Sequence, residues 1–146
     1  MNLAFLARLI VTAIAAGQGV APVFIDLNRT HATNTLWPGH ARFHLVQQVF
    51  TLLPAAAIEI ALIWWSGPWI SERFYLAALL TATPLAGFMI ATLARFGYGG
   101  ALYDSNGIRP LRIPIGSREA AIEINVVLIA AASLLMIAAV ILFLMS

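Results

Sequence analysis

The stretch "AAIEINVVLIAAASLLMIAAVILFLM", residues 120–145, decides which solvent this chain meets. A helix needs about 20 predominantly apolar residues to cross the hydrocarbon core of a bilayer, and this run supplies them. Working back along the chain, three more runs of the same kind appear at 3–25, 43–65 and 74–96. The four occupy most of the 146 residues and leave no room for a separate soluble domain, so residues 1–146 read as one transmembrane domain. Composition agrees: the chain is 62% hydrophobic and 10% charged, against about 25% charged in soluble domains. Backbone groups in lipid must find partners within the protein, and none of the four runs alternates with the period of two that a barrel strand needs. The expected fold is therefore all-α, an integral membrane four-helix bundle.

The connections divide between two faces. The link between the second and third helices, "SGPWISE", is short and makes them antiparallel neighbours. Trp64, Trp65, Trp69 and Tyr75 flank it, as expected of an aromatic belt at a membrane–water boundary. The other two connections, 26–42 and 97–119, lie on the opposite face. The second contains glycines, two prolines and an Asn106-Gly107 turn signal between short apolar runs, which predicts a small hairpin or cap over the bundle. Pro22, Pro54 and Pro84 fall in helices one, two and three, where each removes a backbone donor and is expected to kink its helix.

All eight basic residues are arginine. Arg29, Arg42, Arg95, Arg109, Arg112 and Arg118 belong to the face of the long connections, and Arg73 and Arg8 to the other. This bias predicts the long connections in the cytoplasm and both termini outside, in a bacterial inner membrane. The arginines flank membrane spans, so no nucleic-acid partner is expected. The first run reads as a retained helix rather than a cleaved signal peptide, because its early positive charge, Arg8, lies inside the apolar run. With no cysteine, disulfides and thiolate metal sites are excluded.

The polar chemistry is gathered in "THATNTLWPGHARFHLVQQVF", residues 30–50, which holds all three histidines, His31, His40 and His44, near Asp26, Asn28, Arg29, Asn34 and Arg42. His40 and His44 are four apart at the start of helix two and share a face; Pro38 suits the first turn there. The same face continues through Gln48, Thr51 and Ala55 to Glu59, and on helix one Gln18, Pro22 and Asp26 share a face. Ionisable groups in a span face the bundle interior or a wet cavity. Two polar faces meeting under a histidine-rich loop thus predict a cavity open toward that surface. The loop joins helix ends about 8–10 Å apart and must fold back on itself. Burial of Leu36 and Trp37 toward the membrane is expected to drive this, gathering Asp26, His31, Asn34, His40 and His44.

Histidine titrates near neutral pH and a nearby carboxylate can tune it. The leading expectation is a cavity that binds a small lipid-like, isoprenoid or sterol-like molecule and, if it is an enzyme, transforms it by isomerase- or hydrolase-like acid–base chemistry. His40 and His44 would be the acid–base pair, with His31 beside them and Asp26 orienting a histidine. Asn34, Arg42, Gln48, Trp37 and Gln18 would bind the ligand. An alternative from another class is a non-catalytic membrane subunit or structural module, a homodimer or part of a larger complex, that docks a partner protein or lipid headgroups. A second alternative is a metal ion on His31, His40 and His44; no other cofactor is expected. Interfacial histidines that merely cap a helix are the bland explanation. Apart from the cluster, Arg8 and Glu59 lie at matching depths, about 9 Å inside the far face at 1.5 Å per residue, and are expected to form a structural ion pair.

The run Thr30, His31, Asn34, Trp37, Pro38, His40, Ala41, Arg42, Phe43, His44 resembles the motif of a family of small four-helix membrane proteins of bacteria and fungi. That resemblance implies the fold but no biochemical activity. Over the whole chain, the length, four helices and internal prolines ("QQVFTLLP", "LLTATPLAG") are similar to the sterol-isomerase and sigma-2 receptor superfamily. This implies a membrane cavity for a lipophile, lined by acidic residues and, in the isomerases, histidine. The chain departs from that pattern in helix two, where Gln47 and Gln48 stand near the place of an acidic residue.

Overall fold

The computed structural model describes residues 2–103, 109–116 and 118–146. Four helices long and apolar enough to cross a membrane dominate it: α1 Leu3–Ile25, α2 Gly39–Trp64, α3 Ile70–Ala94 and α4 Ile124–Leu144. A single 3₁₀ turn, Arg95–Gly97, extends α3. A two-stranded antiparallel hairpin, β1 Leu111–Ile115 with β2 Arg118–Ile122, precedes α4. α1 packs against α2 and α4, α3 packs against the same two, and α1 touches α3 across the middle.

Two expected helix starts move, those of α3 and α4, for local reasons. α2 begins at Gly39, ahead of the apolar run at 43–65 as a helix start at His40 implies, with Pro38 (φ −55°, ψ 142°) outside the helix as its N-cap rather than in the first turn. α3 begins at Ile70 rather than 74, because Trp69 turns the chain with a left-handed φ of 65°. That conformation costs a bulky residue about 1–2 kcal/mol. The Arg73 side chain offsets it by donating to the carbonyls of Trp65 (2.7 Å), Gly67 (2.9 Å) and Pro68 (3.0 Å), which staples the turn. α4 loses the start of its expected span because residues 118–122 pair as β2. The described residues are thus mostly helical, with a small hairpin before α4, part of it drawn from the start of the expected fourth span. The hairpin turns at Gly116, whose φ of 61° suits glycine; the Asn106-Gly107 signal lies outside the described residues. The helices run continuously through Pro22, Pro54 and Pro84.

The buried face of α1 is Ala7, Val11, Ala15 and Gly19, a row at intervals of four that presents small side chains to its neighbours. In lipid, helices associate through close van der Waals contact, which small residues permit. Gly19 is the tightest point, since a Cβ there would lie 2.6 Å from the Cβ of Ala56 on α2. At the end of the bundle away from the histidines, Phe74 stacks on Phe143 at 3.8 Å, tying α3 to α4. Large apolar residues such as Phe24, Leu79, Ile90, Leu93, Leu134 and Leu144 are exposed on the outside, where acyl chains would surround them. Trp65 and Trp69 are exposed at the short turn, as the aromatic belt requires.

A candidate ligand cavity

The loop after α1 is built by two asparagines. Asn28 Nδ2 donates to the carbonyls of Phe24 (3.0 Å) and Ile25 (2.7 Å), satisfying helix-end acceptors that would otherwise lack partners. Its Oδ1 accepts from the Thr30 amide (2.8 Å) and hydroxyl (2.7 Å). Asn34, only 2% exposed, donates from Nδ2 to the Thr30 carbonyl and accepts the Leu36 amide on Oδ1. The chain folds back as expected, with the Ala32 amide bonded to the Asp26 carbonyl at 2.9 Å. Within the protein the loop closes around the buried Asn34 amide, with Trp37 half-buried and Leu36 exposed.

This loop holds His31 against Asp26, with Nδ1 3.9 Å from the carboxylate and the ring edge-on to Trp37 at 5.2 Å. The proton count fixes the imidazole tautomer. The amide donors of Asn28 are committed to helix carbonyls, so its Oδ1 must accept and the Thr30 hydroxyl must donate to it. The Thr30 oxygen also lies 2.7 Å from His31 Nδ1. Having one proton, already given to Asn28, it can only accept there, so Nδ1 carries the hydrogen. In the neutral ring Nε2 is then left with its lone pair.

Asp26 and His31 line one end of a cavity of about 470 Å³ between the helices. Gln18 and Gln48 line it with them; the rest of the wall is mostly apolar, including Ile14, Leu52, Leu85, Phe88, Leu128 and Ile129. From Asp26 to Ala13 the α1 wall runs thirteen residues, about 20 Å at 1.5 Å per residue. Tyr103 and Asn125 add polar atoms that the sequence reading missed. Asn125, a polar residue in the first turn of a strongly apolar helix, is the available signal; Tyr103 carries none.

Burial pushes the Asp26 carboxyl above its ordinary value of 3.8, and the neighbouring His31 pulls it partway back. A raised carboxyl favours folding in its protonated form. The stability it contributes is full below the unfolded value and is lost as pH rises through the folded one. Asp26→Asn is therefore expected to raise the melting temperature at neutral pH, and the gap should close as the pH falls toward 4. A variant less stable than wild type at pH 7 would contradict this.

The other expected residues are placed differently. His40 and His44 do approach each other, Nε2 to Nε2 at 3.0 Å, but they are exposed on the first turns of α2 and do not line the cavity. Among the described residues no group of three histidine or carboxylate side chains is placed together as a metal-ligand set. Arg42 and Trp37 are not in the cavity wall either; Arg42 is half-buried, with a buried Nε that has no hydrogen-bond partner. Asn34 is buried within the loop and does not line the cavity. Arg8 and Glu59 form no ion pair. The Arg8 guanidinium stands 6.0 Å from the Trp64 ring, and Glu59 instead bonds Thr81 of α3 at 2.8 Å. The stripe on α2 divides accordingly: Gln48 lines the cavity, Thr51 bonds back to the Gln47 carbonyl, and Glu59 joins α3.

Compared with protein-family models, curated proteins and solved structures, the chain matches none of them.

Proposed function

We propose that this protein binds a lipid-like molecule with an apolar tail and a hydroxyl-bearing head. The tail lies between the helices, and the head meets Asp26 and His31. The observation that carries the reading is a carboxyl–imidazole pair at the loop end of an otherwise apolar cavity. Ligand sites are mostly apolar concavities with a few convergent polar groups. Burying Asp26 works against stability, a cost tolerated where a site needs the group. His31 Nε2 accepts the head-group hydroxyl, and Asp26 beside Nδ1 favours the imidazolium if that proton transfers. In this reading His31 takes the acid–base role expected of His40 and His44.

Native mass spectrometry of the full-length protein, released from mild detergent, tests it. The expected spectrum contains a lipophile adduct, and His31→Phe lowers its occupancy about tenfold, the loss of one interaction worth about 1.4 kcal/mol. No adduct, with stable co-purification in a larger complex, would overturn the reading in favour of a membrane subunit.

The arginine bias supports placing the 26–38 loop on the cytoplasmic side of a bacterial inner membrane. The chain lacks cysteine, so a Thr33→Cys variant isolates the question. A membrane-impermeant thiol reagent should label it only after the cells are opened. Labelling of intact spheroplasts would reverse the orientation.

A further inference from the structure

Glu59 is buried inside the bundle, and among the described residues no cation forms an ion pair with it. It is 5% exposed, five residues before the end of α2, and so about 8 Å inside that end. The charged groups of the packed helices do not face it. On α1 the sole charge, Arg8, goes to the Trp64 ring; on α3 Glu72 and Arg73 sit in the first turn, and Arg73 binds turn carbonyls; α4 has no charged residue. What faces Glu59 is Thr81. The Thr81 oxygen lies 2.8 Å from Glu59 Oε2 and 2.9 Å from the Ala77 carbonyl oxygen.

A hydroxyl has one proton. The Thr81 hydroxyl is placed to donate to either acceptor but can satisfy only one, so a protonated Glu59 that donates to the Thr81 oxygen is the arrangement in which both contacts are hydrogen bonds. An unpaired carboxylate at this depth would be costly, and a carboxylic acid donating to a hydroxyl is not. The Thr81 carbonyl is itself bonded by Gln18 Nε2 at 3.1 Å, which ties α1 to the same junction. Glu59 also lines a second cavity, of about 330 Å³, with Gln18, Ala55, Ile58, Leu80 and Thr83. Ile58 and Leu80 are exposed on the outer surface of α2 and α3, so this cavity opens toward the acyl chains.

We propose that Glu59 is a proton-binding site, an uncharged carboxylic acid held by Thr81 and reached from the lipid through the cavity between α2 and α3. The site does not depend on the Asp26–His31 cavity having a ligand. It is also a covalent modification site for lipophilic carbodiimides. The carboxyl proton passes to a carbodiimide nitrogen as the carboxyl oxygen bonds the central carbon, and rearrangement leaves a stable N-acylurea with no atom lost.

The test uses the full-length protein in lipid vesicles, with dicyclohexylcarbodiimide as the reagent and infrared spectroscopy as the second readout. At neutral pH the peptide containing Glu59 should gain the mass of one carbodiimide, and a water-soluble carbodiimide should not label it. The infrared spectrum should contain the carbonyl stretch of a protonated carboxylic acid. That band should vanish in Glu59→Gln and shift in Thr81→Val, which removes the hydroxyl that holds the proton. Glu59→Gln should remain folded, because its amide still donates to Thr81. Absence of an acid band assignable to Glu59 at neutral pH overturns the proposal whatever the labelling, and labelling of Glu59 no faster than of exposed Glu119 overturns lipid-side access.

Discussion

Gly19→Leu is expected to leave no folded protein, whereas the neighbouring Gly17→Ala is expected to be tolerated. The two glycines are two residues apart on α1 and face different surroundings. A Cβ at Gly19 would lie 2.6 Å from the Ala56 Cβ, 3.4 Å from the Leu52 carbonyl oxygen and 3.5 Å from the Leu53 Cα. Backbone atoms cannot rotate out of the way, so α1 and α2 must separate. Carbon atoms at optimal contact stand about 3.5–4.0 Å apart, which means a shift of roughly 1 Å for alanine alone. Overpacking on that scale costs about 1–3 kcal/mol, and a leucine carries three more carbons into the same gap. Separation of α1 from α2 would also move Gln18 away from Thr81, losing their 3.1 Å bond. At Gly17 an added Cβ meets nothing within 4 Å, so alanine there gains helix propensity of up to about 1 kcal/mol. Circular dichroism melts and gel filtration in detergent check both. A Gly19→Leu protein that elutes as wild type with an unchanged melt would show that the α1–α2 contact is not as close as described.

Gly17→Phe is expected to abolish ligand retention while keeping the fold. Gly17 lines the cavity and faces open space, so a phenyl ring placed there occupies volume that the tail of a bound molecule needs. The ring is apolar, as is most of the wall, and fills a void instead of straining a contact; the melt should stay within a few degrees or rise. Adduct occupancy in the native spectrum should fall at least tenfold, a change of about 1.4 kcal/mol. The comparison with His31→Phe separates two kinds of loss. Gly17→Phe removes room for the tail, so every lipophile should be excluded. His31→Phe removes a polar contact, so molecules lacking the hydroxyl should bind as before. A filled variant that still retains the same molecule would place the ligand elsewhere.

Much of this molecule is set by composition and short-range pattern. Four apolar runs became four helices because a chain with so few charges has no other way to satisfy its backbone in hydrocarbon. The short Trp-flanked turn and the folding back of the loop after α1 follow from lengths that a reader can count. The loop's asparagines also act locally: Asn28 caps the helix that ends three residues before it. The His40–His44 contact is a consequence of i,i+4 spacing and needs no tertiary information.

What the sequence left open is which side of each helix faces its neighbours. A stripe from His44 to Glu59 appears continuous on one helix, yet a long straight stripe meets different partners along its length. Gln48 faces the cavity while Glu59 meets α3. Arg8 and Glu59 match in depth, but depth is one coordinate of three; the rotation of α1 about its axis, set by the close approach at Gly19 and Ala56, turns Arg8 toward Trp64. His40 and His44 are polar and adjacent, which makes them look like the centre of a site. The packing of α2 through Val49, Ala56 and Ile63 instead leaves them outside and makes His31, carried by the folded loop, the histidine that meets the cavity. Periodicity and hydropathy determine that the helices exist and cross. Side-chain volumes at a few contact points determine how each is rotated, and only that rotation selects which polar groups share a cavity.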